Sequence, residues 1–189
     1  MNSTQTTKAG YEYLLAYKVT VPIYDLTVEF CNSYINRYSR THDQMVQAAR
    51  SGMQNISEGN KQQGLKGYIK LSGVARASLE ELLNDYKAYA RQNRLEIWTK
   101  DKSIREIREI RETWNIIKLN STLPDSPNFP NLPKDHEKAA NLMITFINQA
   151  NYLIDKLIIS LKPKQSRKVS IKIRYFSGFF ICTILNPKF

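Results

Sequence analysis

Cysteine and histidine are scarce in this chain, two of each among 189 residues, and that scarcity removes much metal and disulfide chemistry. Two cysteines, Cys31 and Cys182, cannot build the disulfide framework of a small secreted domain. They do not have zinc-ligand spacing either. His42 and His136 stand in neither a His-Glu-x-x-His nor a Glu-x-x-His pattern, so the usual zinc protease and di-iron bundle motifs are absent. No cofactor is expected. Long apolar runs are missing too. None approaches the ~18 residues of a membrane span, and Met1 to Gly10 is polar, without the apolar centre of a signal peptide. A cytoplasmic protein without membrane contact is the expectation. Glycine is sparse. Gly59 to Gly64, followed by Leu65 and Lys66, is only superficially like a phosphate loop. Its lysine is displaced by one, no Ser or Thr follows, and the preceding pattern is helical rather than a strand.

Acids are the other shortage: 17 Asp and Glu against 28 Lys and Arg, a net charge of +11. A basic balance favours anionic partners, nucleic acid foremost, although it speaks to association and not to fold. The excess is uneven. Residues 163–189 hold six basic residues and no acid, leaving 22 basic against 17 acidic residues in 1–162.

Helical periodicity is abundant. Leu14, Tyr17, Val21, Tyr24, Val28, Cys31, Ile35 and Tyr38 recur every three or four residues and predict a bundle helix over about 11–38. Pro22 inside it predicts a kink or a restart, and Cys31 reads as a buried free thiol. Thr41 with Gln44 forms a capping-box pattern for a second helix, 41–59. Met45, Ala49, Gly52 and Ile56 give its inward face, and Gly59 reads as its C-cap. Tyr68, Leu71, Ala75, Leu79, Leu82, Tyr86 and Tyr89 mark a third helix, 67–93. A charged helix over 101–119 carries an Ile104, Ile107, Trp114 and Ile117 stripe. Its arginines have Glu neighbours at helical spacing, the pattern of a solvated, salt-bridged face. Pro124, Pro127, Pro130 and Pro133 make 120–134 a stiff crossover. A fourth helix, 134–161, follows on Ala139, Leu142, Phe146, Ala150, Leu153, Leu157 and Leu161, with Pro163 as its stop.

The fold class expected is therefore all-α: an antiparallel up-down four-helix bundle over 1–162, with an extra charged helix, a proline-rich linker and an atypical C-terminal tail over 163–189. In the tail, Val169, Ile171, Ile173 and Tyr175 alternate with polar residues as a strand does, and 179–185 is nearly all apolar. A strand between subunits, an exposed extension and an out-of-frame C-terminus all fit that pattern.

No residue set suggests catalysis. Glu80, Glu81 and Asp85 fit a solvated face, or pairs with nearby Arg and Lys, better than a metal site. The positive candidates are Arg50, Lys61, Lys66, Lys70 and Arg76, around the turn between the second and third helices. Such cations can neutralise phosphates without reading sequence, and Gly64 and Gly67 let a ligand approach the backbone. The plainer reading is solubilising charge around turn glycines. Asn55 and Glu58, polar near an apolar face, read as structural: Asn55 bridging helices, Glu58 pairing with Lys61, Arg50 or a neighbouring subunit. The seam tyrosines are poor candidates for base stacking.

Gln44 to Ser51, Asn55-Ile56-Ser57-Glu58-Gly59, Gly67-Tyr68 and Ala75 to Leu82, extended by Asp85-Tyr86 and Arg91, resemble the four-helix-bundle family of proteins encoded in intervening sequences of bacterial 23S ribosomal RNA genes. Accessory proteins of diversity-generating retroelements are similar to the same family. The resemblance implies a ring-like homopentamer in which Asn55, Glu58 and Gly59 are signature positions. For the retroelement members it implies a basic surface that binds nucleic acid and a reverse transcriptase. This chain departs from the pattern in its inserted charged helix and proline linker, which resemble the longer suffix-domain variants of the family, and in its tail. The expected function is a non-enzymatic oligomeric bundle binding RNA or DNA without strong sequence specificity. The alternative is a protein–protein adaptor docking through 101–119 and the linker.

Overall fold

Apolar spacing builds six α-helices in the computed structural model, which describes the backbone of residues 8–176 and the side chains of 8–162. A 3-10 turn, Gly10–Tyr13, precedes α1 (Leu15–Tyr34). Then come α2 (Arg40–Lys61), α3 (Leu65–Gln92), α4 (Lys100–Glu106), α5 (Arg108–Leu119) and α6 (His136–Phe176). No strand is present among the described residues, and the protein is all-α as expected. Helices α1, α2, α3 and α6 close a ring in which α1 and α3 each contact α2 and α6. The pair α2/α3 runs antiparallel, since Gly52 lies against Leu79 and Gly59 against Tyr68. The pair α3/α6 does too, since Arg76 meets Asp155 and Tyr89 meets His136.

The enclosed core holds Val19, Ile23, Phe30, Met45, Ile56, Leu79, Tyr86 and Phe146, all at 0% exposure. Phe30 meets Tyr86 and Tyr89 edge-on at 4.8 and 5.0 Å between ring centroids, contacts worth about 0.5–1.5 kcal/mol each beyond area burial. Tyr86 Oη donates to Thr27 Oγ1 (3.2 Å), so its hydroxyl is buried with a partner, and burial pushes its pKa far up. Cys31 is buried and free, and desolvation, with Asp85 nearby, pushes its thiol up to about 12.

Several expectations need correction. The α1 seam is shifted: its buried residues include Ala16, Val19, Ile23, Leu26 and Phe30, while Tyr38 is 92% exposed. Two apolar stripes share this helix, and only packing against α2 and α6 selects one. The helix α1 runs through Pro22 without restarting there. An interior proline costs about 3 kcal/mol in an isolated helix, but here the neighbouring turns are anchored by buried Val19, Ile23 and Leu26. The cap of α2 is Ser39, whose Oγ accepts from the Thr41 N–H at 3.2 Å, so the helix starts before Thr41. Gly59 is inside α2, and no glycine among the described residues has positive φ. It is there for close approach, because a Cβ would lie 2.9 Å from Tyr68 Cδ2.

The charged helix is two helices, broken at Ile107, which is 1% exposed; the break turns Ile107 into the core. The backbone of α6 passes Pro163 and stays helical to Phe176, so neither the stop at Pro163 nor the strand over 169–175 is found. A helix satisfies its own N–H and C=O groups, whereas a strand needs a partner, and none exists among the described residues. The apolar stretch 179–185 and Cys182 lie outside the described residues.

The crossover 120–134 is strapped to α1. Leu123 and Leu132 are buried, the Leu132 N–H donates to both oxygens of Glu29, and Tyr34 Oη donates to Lys134 O at 2.9 Å.

Candidate nucleic-acid interface

The turn Gln62 to Gly64 is short because α2 closes with the Gln62 N–H on Gly59 O (3.2 Å) and α3 opens on extended Gly64. It brings Lys61 and Lys66 to one end of the α2/α3 hairpin, and Lys70 follows one turn along α3. All three are exposed. Lys61 Nζ rests 5.3 Å from the Tyr11 ring centroid. Lys66 and Lys70 have no carboxylate partner among the described residues. The first N–H groups of α3 point out at the same end, and the helix dipole adds positive potential there.

The other two candidates sit apart. Arg50 is exposed but eleven residues from Lys61, about 16 Å along the helix axis. It shares the Lys61 face of α2. Arg76 is already used: Nη1 lies 2.6 Å from Glu80 Oε2 and Nε 3.3 Å from Asp155 Oδ2, tying α3 to α6. Burial works against the charge of Arg76, and the two carboxylates more than offset it, raising its pKa. The structure thus brings together Lys61, Lys66 and Lys70, extends the stripe to Arg50, and gives Arg76 a bridging job.

Asn55 bonds within α2 and does not itself reach a second helix. Its Nδ2 donates to Ser51 O (2.8 Å) and Ser51 Oγ (3.0 Å), and Ser51 Oγ meets Ser78 Oγ across α2/α3 at 3.0 Å. Glu58 is exposed and pairs with neither Lys61 nor Arg50.

Residues 12–117 match the 23S rRNA-intervening sequence protein family. This span is more than half of the chain. The chain belongs to that family. The match covers α1 to Ile117 in the last turn of α5 and leaves the crossover and α6 outside it. No curated protein and no solved structure matches the chain.

Two features of this family member escaped the sequence reading. Lys18, 4% exposed, donates through Nζ to Ile117 O and Asn120 O at 2.9 Å and to Ser121 O at 3.3 Å. A buried ammonium thereby caps the C-terminus of α5, with its three donors matched to carbonyls at the negative end of a helix, while desolvation pushes its pKa down. The second feature is an open groove of about 1050 Å³ between α5 and α6, lined by Trp98, Trp114, Tyr152, Arg111 and Lys118 among others. Asn141 holds its edge: Oδ1 accepts from the Trp98 N–H (2.7 Å) and Nδ2 donates to Glu96 O (2.8 Å). A trace of it in the sequence is the apolar run Leu142 to Ile147, interrupted at Thr145 alone and too continuous for one seam.

Among the described residues, no three His, Cys, Asp or Glu side chains converge as a metal site. No described helix is long and apolar enough to cross a membrane.

Proposed function

We propose that the protein is a non-enzymatic, oligomeric helical bundle that binds nucleic acid through the α2/α3 hairpin end, without strong sequence specificity. The observation that carries this reading is that exposed Lys61 and Lys66 flank one short turn and exposed Lys70 follows one helical turn along α3, Lys66 and Lys70 without acidic partners among the described residues. Cations so placed meet backbone phosphates, which are common to every sequence. Membership of the 23S rRNA-intervening sequence protein family supports it.

The test is fluorescence anisotropy with labelled RNA and DNA across a salt series. Binding of a labelled duplex should weaken steeply with salt, and Lys61→Glu, Lys66→Glu and Lys70→Glu together should abolish it while the circular dichroism spectrum stays native. Each phosphate contact removed lowers the log–log salt slope by about 0.7 to 0.9. Unchanged binding in the triple variant refutes the site.

The adaptor reading has one observation of its own, a cleft of about 700 Å³ between α5 and the crossover, lined by Arg108, Glu112, Phe129 and Pro130 among others. A protein partner that survives nuclease treatment and is lost with Phe129→Ala would favour it.

A further inference from the structure

Trp98 and Trp114 are the chain's two tryptophans, and both line the groove between α5 and α6. Tyr152, 60% exposed, faces the same groove from α6. Each ring has a lysine beside it. Lys102 Nζ lies 4.3 Å from the Trp98 centroid, Lys118 Nζ 5.8 Å from Trp114 and Lys156 Nζ 5.2 Å from Tyr152. The indoles are held in place, since Trp98 Nε1 donates to Glu137 Oε1 at 2.8 Å and Trp114 Nε1 donates to Gln149 Oε1. The rim is basic: Lys100, Arg108, Arg111 and Lys118 line the groove against Glu112, which Arg108 already neutralises at 3.1 Å.

We infer that this groove binds single-stranded RNA, with bases stacked on Trp114 and Tyr152 and phosphates met by Lys118 and Lys156. A fixed aromatic face next to a cation offers one group for a base and one for its phosphate, the pairing that single-strand binders use. The rings come from the segment after α3, from α5 and from α6, so the arrangement is a product of the fold and not of one helix's periodicity. Asn115 and Asn148 are exposed at the groove. The Nδ2 of Asn148 is bound to Ile144 O, which leaves its Oδ1 to accept from a 2′-hydroxyl, the group that separates RNA from DNA. An acidic amphipathic helix would match the rim charge but has no use for three rings each flanked by a lysine. The inference rests on the nucleic-acid reading above and uses a different surface from the hairpin lysines.

The experiment follows the intrinsic tryptophan fluorescence of the full chain during titration with a ten-nucleotide oligouridylate, U10. Both tryptophans sit in the groove, so the signal reports on it directly. Saturable quenching that weakens with salt is expected. Tyr152→Ala should weaken U10 binding about tenfold, the effect of losing one stacked base, and Lys118→Glu with Lys156→Glu should flatten the salt dependence. The hairpin triple variant should quench as the parent does. Anisotropy binding without quenching overturns the groove and leaves the hairpin site standing. Quenching in the parent and equally in Tyr152→Ala overturns stacking. Equal quenching by dT10 overturns the choice of RNA. Quenching by an acidic helical peptide and not by U10 gives the groove to a protein partner and also overturns the inference. Absence of both signals removes the nucleic-acid reading as a whole.

Discussion

Two glycines of similar helical setting differ in what surrounds them. A Cβ on Gly59 would lie 2.9 Å from Tyr68 Cδ2, 3.2 Å from Leu71 Cβ and 3.3 Å from the Tyr68 carbonyl oxygen, whereas nothing lies within 4 Å of a Cβ on Gly73. Alanine gains roughly 1 kcal/mol of helix propensity at either position. At Gly59 the overpacking, on the order of 1–3 kcal/mol, outweighs that gain, because backbone is among the atoms that must move. Urea denaturation should therefore show Gly73→Ala more stable than the parent and Gly59→Ala less stable. Asp85 illustrates a different residue-scale effect. Burial, then the nearby Glu81, holds its carboxyl above the ordinary carboxylate range. The folded state therefore binds this proton more tightly than the unfolded chain, and stability falls as pH rises through the window just above that range. Asp85→Asn should remove this part of the fall and raise the thermal midpoint at pH 7 more than at pH 4.

At the scale of elements, α5 depends on α1 through one side chain. Lys18 alone supplies donors to the carbonyls of Ile117, Asn120 and Ser121, and so fixes where α5 stops and the crossover begins. Lys18→Met keeps the aliphatic stem and removes the ammonium. The buried carbonyls then lack a partner, at a cost of roughly 1–3 kcal/mol. Hydrogen exchange should speed up over 108–134 in that variant while α2 and α3 stay protected. Equal loss of protection in all helices would show that Lys18 serves the whole bundle instead. The α2/α3 pair is held differently, by the Gly52 and Gly59 close approaches and the Ser51–Ser78 bond. That hairpin is what places Lys61 and Lys66 on either side of one short turn.

For the whole molecule, the reading proposed above is an assembly, five chains by the resemblance. Large apolar side chains remain on the surface of one chain, among them Leu119 at 84% and Ile159 at 58% exposure. Light scattering coupled to size exclusion should return five times the 21.9 kDa chain mass, independent of added nuclease. A mass equal to one chain refutes the ring. A mass that drops with nuclease would show that nucleic acid, not protein contact, holds the chains together.

Periodicity and punctuation were enough to determine the class of this protein. Met45, Ala49, Gly52 and Ile56 stand buried or nearly so on α2 as their spacing predicts, and the signature around Asn55 and Gly59 points to the family that residues 12–117 match. Those features are local: a 3.6-residue repeat reports which face is apolar without knowledge of the partner. Where two faces compete, as on α1, the repeat alone selects a stripe that is mostly half-buried beside the core, and contact with α2 and α6 decides which face is fully enclosed. The Arg76–Glu80 pair is local, four residues apart, but Asp155 is 79 residues away in sequence and only the fold makes it a neighbour of Arg76. Lys18 as a cap for α5, and Trp98, Trp114 and Tyr152 on one groove, arise in the same way. They are meetings between distant segments, fixed by packing and by buried polar groups that had to find partners, and only the tertiary structure makes those matches.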